Sequence, residues 1–296
     1  MWVNMRFEGI ITPLITPFTD DGKVFEKGLR ELISFQMEKN INGLFMCGTY
    51  GSGPAMTIEE RKSVAEIAVD QARGKMDVII NVGSSSMETT IELAKHAEKV
   101  GADAVASTPP FYYAYDSESV LSFYKQLLKE VNIPVFAYNY PERVGYTISS
   151  QLLNMLAEEG VVGVKDSSFN MIKFYEDVLT VEKKDFIFLI GTEELMFPAM
   201  MAGAKGCVPG IANVYPEIMT EFYRLIKEEK FKEAATKQME VIRLIKTLNP
   251  TMTACYEILK LRGVNVGRPK KLFKGLTEVE VNKLRDRLVQ LHLISR

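Results

Sequence analysis

Apolar positions along this chain follow two alternating patterns. Short, nearly continuous hydrophobic runs recur eight times: GIITPLITPF, GLFMCGT, DVIINVG, ADAVASTPP, PVFAYNYP, VVGVKDS, FIFLIGT and AKGCVPGIAN. A continuous run, as opposed to a strict polar alternation, is what a parallel strand covered on both faces shows. The segments between them have helical signals. Thr57 with Glu60 and Ser85 with Glu88 match the capping-box spacing, and Gly101 stands where the second of these helices should stop. After the eighth run, Ile218, Phe222, Leu225 and Ile226 recur at helical spacing on one face. Eight strand–helix repeats predict an α/β fold of the (β/α)8 TIM-barrel type rather than an open doubly wound sheet.

From about Lys230 the strand signals stop, while helical patterns such as Ala235, Met239, Ile242 and Ile245 continue. The expected organisation is a barrel over residues 1–228 and a C-terminal helical extension over 229–296. No low-complexity linker separates them, so the extension should pack on the barrel. Its methionine and aromatic positions read as core or subunit contact before they read as a cofactor site.

Composition narrows the function. The 296 residues carry 36 basic and 38 acidic side chains, well mixed, for a net charge of −2. No basic stripe is present to gather nucleic acid or an anionic membrane, which leaves small-molecule chemistry. Cys47, Cys207 and Cys255 are far apart and form no CxxC pair, so neither a disulfide framework nor a zinc knuckle is expected, and a cytoplasmic setting fits. The N-terminal stretch is broken by Arg6, Glu8 and two prolines, and no apolar run is long enough to span a bilayer, so neither export nor membrane insertion is expected. His96 and His292 have no ligand partner at a recognisable spacing, and neither GxGxxG after a first strand nor GxxxxGK[ST] occurs. Neither a metal nor a nucleotide cofactor is expected.

The chemistry-bearing residues collect after the strands, where barrel enzymes place them, in CGTYGSG, STPPFYY, AYNYP and VKDSS. Lys165 ends the sixth run and Tyr138 lies near the end of the fifth. Neighbouring strands run about 4.8 Å apart, so the two side chains are within reach. Burial favours the neutral form of an amine, which can attack a carbonyl to give a Schiff base, and a nearby phenol can move the proton. Strand arithmetic alone reads equally as a lysine snorkelling to solvent beside a tyrosine that only packs.

GTYG, TPPFYY, YNYP and GVKDSS, in this order along the chain, resemble motifs of the dihydrodipicolinate synthase and N-acetylneuraminate lyase family of class I aldolases. The resemblance covers the barrel and the helical tail. It implies that Lys165 forms the imine with pyruvate, that Tyr138 shuttles the proton, that Thr49 hydrogen-bonds this phenol, and that Tyr112 completes the relay from a neighbouring subunit. It also implies that the backbone around Thr49, Tyr50 and Gly51 binds the pyruvate carboxylate. Tyr50 departs from the pattern, which usually has a second small hydroxyl residue there, so the carboxylate relies on backbone alone or Tyr50 reshapes the pocket. Tyr112 and Tyr113 also read as an aromatic packing pair.

GTYGSGPAM, FYY and YNYP look most like the archaeal-type 2-keto-3-deoxygluconate aldolases, which cleave a 2-keto-3-deoxy sugar acid to pyruvate and an aldehyde. Arg143 instead falls where dihydrodipicolinate synthases bind the carboxylate of aspartate semialdehyde; it equally suits a phosphate, or simple solvation. The synthase branch usually has glutamate where Ser52 stands. Gly191, Glu193, Glu194 and Gly210 occupy positions where relatives touch sugar hydroxyls, although the two carboxylates also suit capping of the next helix. A catalytically silent small-molecule sensor is the non-enzyme alternative. If Tyr112 is shared across an interface, a dimer is the minimum assembly, and the resemblance implies a homotetramer built as a dimer of dimers.

Overall fold

In the computed structural model of the chain, which describes residues 7–247 and 251–294, eight parallel strands close into a barrel in sequential order. The strands are β1 Gly9–Thr12, β2 Gly43–Met46, β3 Asp77–Asn81, β4 Ala104–Ser107, β5 Val135–Asn139, β6 Gly163–Asp166, β7 Ile187–Ile190 and β8 Gly206–Cys207. Around them run α1 Glu26–Glu38, α2 Ile58–Ala72, α3 Met87–Val100, α4 Ser117–Glu130, the short α5 Pro141–Val144, α6 Ser150–Glu159, α7 Met171–Thr180, α8 Met196–Met201 and α9 Pro216–Lys227. The extension contributes α10 Phe231–Thr247, α11 Thr251–Leu261 and α12 Glu278–Gln290. The predicted (β/α)8 barrel with C-terminal helices is the observed architecture. Arg6 and Arg296 lie outside the described residues.

Each of the eight runs yields one strand, because side chains that alternate about a strand are apolar on both sides. One set fills the barrel interior, with Ile11, Phe45, Ile79, Phe136, Tyr138 and Leu189 among its members. The other packs outward against the helices, with Leu44, Met46, Val78, Ile80, Val105 and Val164. The eighth run pairs over only two residues, then turns into a 3-10 segment, Gly210–Asn213. Its seam with β1 is reinforced by side chains: Asn213 accepts from the Ile15 N–H at 2.9 Å and donates to the Pro13 carbonyl at 2.9 Å.

Helix starts follow the local signals, with one displacement. Thr57 and Glu60 form the full reciprocal capping box of α2. For α3 the cap is Ser86, one residue beyond the predicted Ser85; it accepts from the Thr89 N–H, and its hydroxyl donates to Glu88. Two adjacent serines satisfy the same spacing rule, and only the approach of the chain chooses between them. Gly101 ends α3 in the left-handed region at φ 90°, as expected.

The face of α10 also differs from expectation. Ala235 and Met239 are exposed and Ile242 and Ile245 half-buried, whereas Ala234, Gln238, Val241 and Leu244 are buried. The helix packs against α9, α8 and the loop after β7, and that contact selects a stripe one position away from the one the apolar periodicity suggested. No helix among the described residues is long and apolar enough to cross a membrane.

Candidate active site

Tyr138 and Lys165 are register partners on β5 and β6, so both side chains point to the same side of the sheet, into the barrel. Both are buried, with 3% and 5% of their surface exposed. The Lys165 Nζ lies 3.9 Å from the centroid of the Tyr138 ring and 5.3 Å from that of Phe45. It donates a hydrogen bond to Ser167 Oγ at 3.0 Å. The amine is therefore held by aromatic faces and one hydroxyl. Thr49 Oγ1 and the Tyr138 hydroxyl are 3.5 Å apart, at the long limit of a hydrogen bond.

A second network lies on the outward side of the same strands. Asn139 and Asp166 are also register partners, and Asn139 Nδ2 donates to Asp166 Oδ1 at 2.6 Å. Asp166 Oδ2 accepts from the Ser168 hydroxyl at 2.7 Å, and Asn139 Oδ1 accepts from the Ile148 N–H at 3.1 Å. A buried carboxylate is costly without such partners, and here they tie the ends of β5 and β6 together next to the catalytic candidates.

The turn after β2 places Thr49, Tyr50 and Gly51. Cys47 and Ser52 adopt left-handed backbone angles at φ 56° and 59°, and the N–H groups of Ser52 and Gly53 close back on the carbonyls of Thr49 and Gly48. A Cβ at Gly51 would meet the Leu14 carbonyl oxygen at 2.9 Å, so the chain passes where only glycine fits. Tyr50 reaches across the mouth to the loop after β8, where a Cβ at Gly210 would lie 2.1 Å from its hydroxyl. Burial, followed by the field of Glu193, raises the Tyr50 phenol well above its ordinary range.

Gly191 leaves β7 beside the Lys165 side chain. A Cβ there would stand 2.1 Å from Ser167 Oγ and 3.0 Å from Lys165 Cε. Glu193 follows, 7% exposed, and its Oε1 accepts from the Ile211 N–H at 2.9 Å. Its carboxylate thus bridges to the β8 loop instead of capping the helix it precedes. Burial, helped by neighbouring Glu194, pushes it up to about 7.

Thr49, Tyr50, Tyr138, Lys165, Gly191, Glu193 and Ile245 line one cavity of about 200 Å³, whose lining does not include Gly51 or Gly210. Thr49, Tyr50, Tyr138 and Tyr140 are shared with an outer vestibule of about 570 Å³, whose wall includes Asn81, Arg143, Met252 and Phe273. Arg143 is exposed, with its guanidinium 5.8 Å from the Tyr140 ring centroid. Tyr112 is not brought to the cavity of its own chain: it is 86% exposed, at φ 87°, edge-on to Tyr113. A separate surface hollow of about 950 Å³ around Phe25, Arg30, Phe35 and Arg262 shares no lining residue with this site. Among the described residues no cluster of His, Cys, Asp or Glu could hold a metal ion, and His96 pairs with Glu66 at 2.9 Å.

Sequence reasoning did not assign Ser167, Asn139, Asp166 or Phe45 to the site. The polar cluster directly after the lysine, DSS, was the available signal for the first and third. Ile245, Met252 and Phe273 gave none, since they reach the mouth from the extension.

Residues 6–291 match the dihydrodipicolinate synthetase family. The chain is 34% identical to a 4-hydroxy-tetrahydrodipicolinate synthase of Methanopyrus kandleri, over 99% of both chains. It is 30% identical to an N-acetylneuraminate lyase of Fusobacterium nucleatum, over 93% of this chain and 95% of the relative. Its fold superposes with a TM-score of 0.93 on a prophage protein of the dihydrodipicolinic acid synthase family from E. coli K12, solved in complex with pyruvate; that chain is 26% identical, and the match covers 98% of this chain and 100% of the other.

Proposed function

Because this chain belongs to the dihydrodipicolinate synthetase family of class I aldolases and lyases, we propose that it cleaves a 2-keto-3-deoxy sugar acid of the 2-keto-3-deoxygluconate type, reversibly, to pyruvate and an aldehyde. The observation that carries this reading is the buried Lys165 amine, 3.9 Å over the ring of its register partner Tyr138.

The Lys165 amine attacks C2 of the keto acid, and the carbinolamine takes the Tyr138 phenol proton and loses water, giving a protonated imine and a phenolate. That imine is an electron sink. The C4 hydroxyl gives its proton to the Tyr138 oxygen, the C3–C4 bond breaks, and its electron pair enters the imine as an enamine while the aldehyde leaves. Protonation of the enamine at C3 and hydrolysis then return pyruvate and the free amine. Thr49 would hold the Tyr138 hydroxyl, the N–H groups of Tyr50 and Gly51 would receive the carboxylate, and Gly191, Glu193 and Gly210 would form the wall beside the sugar carbons. Tyr112 projects outward and would serve a neighbouring subunit in a dimer of dimers.

A second reading is condensation of pyruvate with aspartate semialdehyde by a 4-hydroxy-tetrahydrodipicolinate synthase. Arg143 on the vestibule wall and the name of the Methanopyrus relative favour it.

Incubation with pyruvate and borohydride, followed by intact mass and peptide mapping, tests the shared chemistry: a reduced adduct on Lys165 is expected, and its absence would favour a silent sensor. Pyruvate release from 2-keto-3-deoxygluconate, assayed beside condensation with aspartate semialdehyde, tests the substrate. Activity in the second assay alone overturns the first reading.

A further inference from the structure

One buried position on α10 breaks the apolar pattern of its face. Ala234, Val241 and Leu244 are buried as expected of a packing stripe, but between them Gln238 is 7% exposed. A buried carboxamide is tolerated when both its ends are hydrogen-bonded. Here both ends are satisfied by one loop. Gln238 Nε2 donates to the Glu193 carbonyl oxygen at 2.9 Å, and Gln238 Oε1 accepts from the Phe197 N–H at 2.9 Å. These two backbone groups bracket the 3-10 turn Glu193–Leu195 and the start of α8.

From that turn the Glu193 side chain reaches the Ile211 N–H at 2.9 Å, so three contacts form a chain: α10 to the β7 loop, and the β7 loop to the β8 loop. β7 pairs along its whole length with β6, but with β8 it shares only two register pairs, so the seam between these two loops has little ladder support of its own. A single hydrogen bond leaves a loop free to rotate about it; two, from one planar group to backbone sites four residues apart, do not.

We propose that Gln238 is a positioning residue of the active site: through the backbone of the β7 loop it fixes where the Glu193 carboxylate stands in the cavity, and so it governs binding of the substrate carbons beyond the pyruvate unit. This rests on the proposed aldol reaction for what Glu193 meets. The Lys165 and Thr49–Gly51 side of the cavity, which would hold the pyruvate unit, is carried by β2, β5 and β6, and neither hydrogen bond of Gln238 goes to it.

Two variants separate the contacts. Gln238→Met keeps the length and removes both hydrogen bonds; Gln238→Glu still accepts from Phe197 N–H but sets an oxygen against the Glu193 carbonyl. In hydrogen–deuterium exchange, Gln238→Met should speed exchange at both Phe197 and Ile211, and Gln238→Glu at Ile211 with Phe197 still protected. In kinetics, with whichever of 2-keto-3-deoxygluconate and aspartate semialdehyde the wild-type enzyme turns over, KM should rise about three- to tenfold in either variant. The rate of the pyruvate–borohydride adduct should stay within about twofold of wild type. A parallel fall of adduct rate, kcat and melting temperature would make Gln238 mere packing support, and unchanged exchange at Ile211 would overturn the proposal outright. If the wild-type chain forms no adduct, the proposed reaction fails instead, and the exchange measurement still decides whether Gln238 positions Glu193.

Discussion

The two sides of the barrel mouth are held by different means. On the β5–β6 side, four consecutive register pairs run from Phe136–Gly163 to Asn139–Asp166, and the Asn139–Asp166 hydrogen bond locks the last of them. Tyr138 and Lys165 are fixed by the sheet itself. On the β7–β8 side only Leu189–Gly206 and Ile190–Cys207 pair, and the geometry comes from side chains that span loops: Glu193 to Ile211, Asn213 to Pro13 and Ile15, and Tyr50 against Gly210. The side proposed to make the bond is rigid and local. The side proposed to choose the aldehyde is assembled from distant parts of the chain, which is an arrangement that lets recognition vary while the imine chemistry is kept.

That contrast can be broken most severely at the amine. Lys165→Ala should abolish the borohydride adduct and lower turnover by roughly 10⁴-fold, without unfolding the barrel, because an alanine at a cavity wall leaves no unmet polar group except Ser167 Oγ. Intact mass and circular dichroism check both halves of the statement. Tyr138→Phe should slow turnover by about 10²-fold to 10⁴-fold while imine formation persists, since ring packing under the amine remains and only the proton carrier is lost.

Asp166→Ala tests whether the rigid side needs its outward network. Removing the carboxylate strands Asn139 Nδ2 and the Ser168 hydroxyl, which should cost about 1–3 kcal/mol in urea unfolding and also slow adduct formation. Unaltered adduct kinetics would separate the network from the site. On the assembled side, Gly210→Ala places a methyl where the Tyr50 hydroxyl stands and should cost about 1–3 kcal/mol of overpacking. Its kinetic mark should be KM for the aldehyde-bearing substrate, with the adduct rate spared.

The smallest effect concerns pH. The Glu193 carboxyl is raised from 4.5 to about 7, so the folded protein holds its proton where the unfolded chain has lost it. That contribution to stability is complete below about pH 4.5 and is lost as pH rises through about 7. Glu193→Gln keeps an oxygen for the Ile211 N–H and does not titrate. Its urea midpoint relative to wild type should therefore rise between about pH 5 and pH 8, and a constant difference would refute the shift.

Much of the fold was legible because its signals are local. Hydrophobic runs, the Thr57–Glu60 box and Gly101 each act over a few residues, and a tertiary context that agrees with them leaves the reading intact. Where two local solutions were near-equal, the reading slipped by one position: Ser86 caps α3 in place of Ser85, and α10 buries Ala234 and Gln238 in place of Ala235 and Met239. In the site, Lys165 and Tyr138 could be placed side by side from strand order alone, because parallel neighbours in a barrel are consecutive in sequence.

By itself, then, the order of residues determined the eight-fold alternation, the barrel that closes it, and the meeting of an amine with a phenol on adjacent strands. Only the tertiary structure decided that Ser167 accepts the amine's hydrogen bond, that Glu193 turns to Ile211, that Tyr50 rests on Gly210, and that Gln238 reaches in from the extension. The physical reason is range. Strand period and helix caps are fixed by neighbours within a turn, whereas a buried polar group is satisfied by whatever partner the folded chain brings near it, however far away in sequence that partner lies.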